Sequence, residues 1–170
     1  ITFPANFMMV SAMNPCPCGF FGDPVKECSC TPSTVSRYKR RISGPLLDRI
    51  DLFVEVPRVE SEKLVQPNEA ETSSDVRSRT ERARAVQIER FADAGLITNS
   101  EMAVEVWDWC SVDDSVQSLL QAALKQMHLS ARAYHRILKV SRTIADLASS
   151  DTIGITHVAE ALQYRPAQGL

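Results

Sequence analysis

The chain has 170 residues, of which 44% are hydrophobic, 24% charged and 6% aromatic. This suffices for one ordinary domain or two small ones with a real core, and it excludes collagen-like, prion-like and wholly disordered classes. The net charge of −2 conceals +3 over residues 1–50 and −5 over residues 51–170, so the chain is no polybasic binder, and affinity for nucleic acid must come from a local patch or from neighbouring subunits.

No apolar run approaches the ~20 residues that span a bilayer, and Ile1-Thr2-Phe3-Pro4 has neither the basic flank nor the apolar core of a signal peptide. A chain that begins without Met is expected to be a fragment. Cys16, Cys18, Cys28 and Cys30 lie within fifteen residues while Cys110 stands alone, a distribution that points to a metal site in a reducing, cytoplasmic setting rather than a secreted disulfide framework.

In chain order, Phe7 to Met13 is a nearly unbroken apolar run that predicts a strand covered on both faces, ending at Asn14-Pro15. Thr31-Pro32 then starts a helix, with Thr as N-cap and Pro at the first position, and Val35, Tyr38 and Ile42 give it an apolar stripe. Gly44-Pro45 stops it and opens a short helix, Leu46 to Arg49, before a second strand from Ile50 to Val56 that Pro57 closes. Two strands do not complete a sheet with helices on both faces, so the partner strands are expected outside this chain. Residues 58–73 turn polar and acidic and form an expected linker. Helices are expected over Ser74 to Ala94, Val112 to Met127, Ser130 (as cap) to Ala148, and Ile155 to Tyr164. The expected fold class is mainly α with a partial α/β portion: residues 1–57 hold that portion, with a knuckle over 14–31, and residues 74–170 a helical bundle.

Four residues carry the strongest chemical signal. Cys16-Pro17-Cys18, nine residues, and Cys28-Ser29-Cys30 place four thiols on two short knuckles, with Gly19, Gly22 and Pro24 letting the chain double back. Four thiolates can close a tetrahedral structural Zn²⁺ site with no open position for catalysis; the alternative is four buried, redox-neutral cysteines. Arg37, Lys39, Arg40 and Arg41 follow on the next helix, as a solvated face or as a contact for DNA or an acidic interface. Arg49, between Asp48 and Asp51, is either an ion-pair partner of one of them or a guanidinium held by backbone on both sides. Arg132, Arg136 and Lys139 make a cationic stripe on the Ser130 helix, and Arg142 suits an internal ion pair with Asp146. Cys110 suits a packing thiol, since no base accompanies it. No G-x-x-x-x-G-K-[ST] phosphate loop is present, so this chain alone is expected not to hydrolyse nucleotide.

Taken in order, Phe7 through Gly19, Ser43-Gly44-Pro45-Leu46-Leu47-Asp48-Arg49-Ile50-Asp51-Leu52, and Leu129 through Leu147 closely resemble the magnesium-chelatase-like AAA+ proteins of the ComM/YifB group, over essentially the whole chain. The Cys-bearing insert favours this group over true magnesium chelatase subunits. The resemblance implies the C-terminal part of an AAA+ module, from the sensor 1 strand to the helical lid, with the phosphate loop and Mg²⁺-binding acids upstream. Asn14 then matches sensor 1, Arg49 the arginine finger that acts in trans, and Arg132 sensor 2; Arg136 is a further interface candidate. The implied protein is a homo-hexameric ATPase motor, loaded with ATP and Mg²⁺, that acts on DNA in branch migration and uptake, without a membrane. Rival readings are a magnesium-chelatase-type ATPase subunit and a non-enzymatic, zinc-stabilised DNA- or protein-binding module.

Overall fold

The computed structural model describes residue 1 and residues 7–59, 71–103 and 106–165. The chain divides into two compact units, Ile1–Gly44 and Pro45–Leu170. Most of the expected linker, residues 60–70, lies outside the described residues. Among the described residues there is no strand, and no helix is long and apolar enough to cross a membrane.

In the first unit α1 spans Pro32–Lys39, with Pro at its start and the Thr31 side chain accepting the Thr34 N–H at 3.3 Å. This cap fills one of the orphan donors of the first turn, and the fixed φ of Pro32 suits that turn. Val35 is buried and Tyr38 half-buried, so the apolar stripe faces inward as its spacing requires.

The two expected strands are corrected. Residues 7–13 are irregular, and Phe7, Met8, Met9, Val10 and Met13 are all exposed; residues 50–56 are irregular as well, with Leu52, Val54 and Val56 exposed. The sensor 1 strand and the α/β portion are therefore not seen. The cause is that a strand exists only through hydrogen bonds to a neighbouring strand, whereas an apolar run supplies side chains for such a sheet and not the sheet itself.

The second unit is helical. The short α2 spans Gly44–Leu47, at the junction of the units, and α3 spans Ser73–Arg90, capped by Thr72. A 3-10 turn at Asn99–Glu101 and the single-turn α4, Val106–Trp109, precede α5, Asp114–Gln126, whose N-cap Asp113 accepts the Val116 N–H at 2.8 Å. Then follow α6, Ala131–Leu147, capped by Ser130, and α7, Ile155–Gln163. The short turn and α4 were not expected, because elements of one turn carry too few residues to show a period. Val116 and Leu120 from α5, Ile137 and Leu138 from α6, and Val158 and Ala161 from α7 close a core with Phe91, Met102, Val106, Cys110 and Ile153.

Beside that core lies a buried polar network centred on Asp146, whose side chain has no solvent exposure. One carboxylate oxygen accepts from Gln87 Nε2 (3.3 Å), Arg90 Nη1 (2.9 Å) and Asn99 Nδ2 (2.8 Å); the other accepts from Arg90 Nη2 and from Arg142 Nε (3.0 Å). The expected Arg142–Asp146 pair is thus present, and Arg142 also donates to the carbonyls of Ser150 and Asp151. Burial alone would raise the Asp146 carboxyl, but the bonds from Arg90 and Asn99 and the charges of both arginines hold it below the ordinary carboxylate range.

Two outcomes follow. Asp146→Ala strands two guanidinium groups in the interior and should cost about 3–5 kcal/mol in urea unfolding, the scale for breaking a buried pair. In the wild type the contribution of a carboxyl whose folded pKa is depressed is complete above its unfolded value near 4 and drains away as pH falls through the lower folded one. The urea midpoint should therefore fall below about pH 4, and Asp146→Asn should flatten that dependence.

Candidate functional site

The knuckle is built by backbone geometry. Gly19 (φ +84°) and Gly22 (φ +82°) occupy left-handed positions that other residues resist, and the Gly19 N–H donates to the Cys16 carbonyl at 3.0 Å. The Asp23 carboxylate accepts the N–H groups of Val25 and Lys26, both at 2.8 Å, and so turns the chain back toward Cys28. The Lys26 ammonium sits 3.9 Å from the Phe20 ring centroid, which braces the turn.

The result brings four sulfurs together. The Sγ atoms of Cys16, Cys18, Cys28 and Cys30 all lie within 4.8 Å of one another, at 3.3 Å for Cys16–Cys18, 3.5 Å for Cys18–Cys28 and 3.7 Å for Cys16–Cys28. All are free thiols. Tetrahedral Zn–S bonds of ~2.3 Å place sulfurs ~3.8 Å apart, so the cluster is close to the size that such an ion requires. Among the described residues no other group of His, Cys, Asp and Glu donors converges in this way.

The thiols are electrostatically unequal. Cys18 is lowered to about 5, first by the backbone N–H of Phe20 and then by the Cys16 thiol. Cys28 gains from the Cys30 backbone N–H, yet desolvation and the crowding of Cys18 and Cys16 push it up to about 12. Crowded sulfurs cannot all ionise together without a cation between them, and a divalent ion supplies that charge. Cys110 is a different case: it is buried, donates weakly to the Leu138 carbonyl at 3.9 Å, and is pushed up to about 11 chiefly by burial.

The remaining candidates lie elsewhere. Asn14 is exposed, two residues before Cys16, without its expected strand. Of the cations expected on one helix, Arg37 is exposed on α1, and Arg40, its C-cap, and Arg41, in the turn beyond, are exposed as well, whereas Lys39 is half-buried with its ammonium 5.4 Å from the Phe21 ring. Arg49 is exposed just beyond α2 and donates to the Pro45 carbonyl at 3.0 Å; among the described residues it pairs with neither Asp48 nor Asp51. Arg132 is exposed in the first turn of α6 and makes no ion pair among the described residues. Arg136, one turn on, binds the Asp51 carboxylate, and Lys139 donates to the Ser100 carbonyl at 3.0 Å. Three cations that look alike in sequence are therefore unequal in space. Sequence reasoning missed Asn99 and Gln87 in the Asp146 network and Arg165 beside residue 50; no local pattern marks any of them.

Comparison with known proteins adds the context. Residues 70–165 match the family model described as magnesium chelatase, subunit ChlI C-terminal, and residues 1–64 match that of magnesium chelatase, subunit ChlI. The chain is 43% identical over 97% of its length to the competence protein ComM of Haemophilus influenzae, and 39% identical over 97% to the uncharacterized protein YifB of Escherichia coli. The YifB of Salmonella typhimurium is 36% identical over 97% of the chain. The chain spans about a third of the length of these relatives, 32% in each case.

Protein purified without chelator should carry about one zinc per chain by elemental analysis. Cys16→Ser should abolish that content and leave the other three thiols open to alkylation; metal-free wild type with readily alkylated thiols would contradict the assignment.

Proposed function

The chain belongs to the magnesium-chelatase ChlI family, and from that premise we propose that it is the C-terminal part of a hexameric, DNA-acting AAA+ ATPase of the cytoplasm, active in branch migration and DNA uptake. What carries this reading is the 43% identity, over 97% of the chain, to a protein named for competence. The same likeness favours DNA over metal insertion as the work of the motor. Assays on branched DNA and on porphyrin metallation separate the two.

In this reading Arg49 reaches the nucleotide site of a neighbouring subunit and stabilises charge on the transferring phosphoryl group. Its exposure and its lack of a carboxylate partner among the described residues suit that post. Arg132 senses nucleotide from the lid, at the N-terminus of α6, where the helix dipole also favours anions. Both posts require a permanent charge with a forked donor geometry, so lysine would not substitute. Asn14 orients the attacking water once its strand is completed by the rest of the module. The four thiolates would hold Zn²⁺ as a structural ion, and ATP with Mg²⁺ would bind mainly through upstream residues. The exposed cations Arg37, Arg40 and Arg41, at the C-terminal end of α1 and just past it, are available to DNA or to an acidic neighbour.

In the full-length protein, Arg49→Ala should leave ATP binding nearly intact while turnover falls by ~10³-fold or more, the scale for a finger supplied in trans. Mixing these subunits with others defective only in their own phosphate loop should restore hydrolysis; failure to do so would overturn the trans role. Arg132→Ala should lower hydrolysis while the melting temperature shifts little, because an exposed side chain without an ion pair contributes little to packing.

A further inference from the structure

Residues 49–53 carry no regular structure, yet they are fixed to the helical bundle of the second unit at several points. The Asp51 carboxylate is ion-paired with Arg136 of α6. The Ile50 carbonyl accepts from Arg165 Nη1 at 3.1 Å, and the Phe53 N–H donates to the Tyr164 carbonyl at 2.9 Å, so the chain end of α7 holds the same segment. The Arg165 guanidinium also lies 5.9 Å from the Phe53 ring centroid.

Arg165 is an expensive way to hold a loop. It is 8% exposed and its Nε finds no hydrogen-bond partner. Burial, then Arg136, push its guanidinium pKa down, against the pull of Asp48 and Asp51. An apolar side chain of similar size would pack there without that cost, so stability alone does not account for it. The Arg136–Asp51 pair is half open to solvent, and such pairs add little to folding free energy. What the two arginines supply is direction: Arg165 holds the Ile50 carbonyl and Arg136 the Asp51 side chain, on the two residues immediately after Arg49.

We propose that Arg136 and Arg165 are positioning residues for Arg49, locking its segment onto α6 and α7 so that the finger follows the helix bearing Arg132. This rests on the assignment of Arg49 as a trans-acting finger and Arg132 as a nucleotide sensor. Arg132 and Arg136 are one helical turn apart on α6. A shift of α6 on nucleotide binding then moves Asp51, and with it the guanidinium offered to the next subunit, so that consecutive sites are coupled through a chain of direct contacts.

The test uses ATP hydrolysis by the full-length protein. Asp51→Ala and Arg136→Ala should each lower kcat by ~10- to 100-fold with KM for ATP nearly unchanged, as expected for a displaced catalytic group. The charge-swapped double variant, Asp51→Arg with Arg136→Asp, should recover much of the loss. Arg165→Met, which fills the space without hydrogen bonds, should behave like Arg136→Ala. Adding Arg136→Ala to Arg49→Ala should cause no further loss. Full turnover in the Asp51 and Arg136 variants, with Arg49→Ala inactive, would overturn the positioning role and leave the finger standing. An unimpaired Arg49→Ala would overturn the finger and this inference together. Losses that the swap does not rescue and that add to those of Arg49→Ala would also overturn the positioning role.

Discussion

A single carboxylate with no access to water sets the terms for the helical unit. Left alone in the interior, Asp146 would cost several kcal/mol; it is tolerated because Arg90, Asn99, Gln87 and Arg142 all donate to it. The apolar core around Ile137 and Val158 is non-directional and tolerates sliding of one helix along another. Hydrogen bonds do not. By requiring Gln87 and Arg90 from α3 and Asn99 from the 3-10 turn at one point on α6, the network gives α3 a register that Ala83, its one buried apolar side chain, is too small to impose. The same network reaches α7 indirectly, since Arg142 also holds the carbonyls of Ser150 and Asp151 on the way to that helix.

The parts of this protein that were legible in the sequence are those whose causes are local. Thr31 and Ser130 cap the helices that follow them because a hydroxyl reaches an N–H three residues away. The cysteine spacing likewise announces its own loop. The run from Phe7 to Met13 shows the opposite case: its composition suits a buried strand, but the neighbour that makes a strand is not a property of the run. Asn99 and Arg165 were illegible for a related reason, since their partners lie 47 and 115 residues away in sequence. The stripe of Arg132, Arg136 and Lys139 shows the limit of periodicity. Spacing places all three on one helix side, and only the fold decides that Arg136 meets Asp51 while Lys139 meets the Ser100 carbonyl.

The two units rest on different physics. The second has a shared apolar core drawn from several helices; the first, among its described residues, buries only Cys16 and Val35 of its apolar side chains. Such a unit gains little from the hydrophobic effect and is ordered by turns, a cation over a ring, and the convergence of its sulfurs.

That contrast makes the first unit answerable to its surroundings in a way the second is not. Where sulfur ligation supplies the folding energy, occupancy obeys mass action, and each tenfold change in free ion shifts the balance by ~1.4 kcal/mol. Cys30 immediately precedes Thr31, the cap of α1, so the helix start is tied to the fourth sulfur. The orientation of Arg37, Arg40 and Arg41 is thereby referred back to the ion supply, and scarcity would disperse that positive face while the bundle around Asp146 kept its shape.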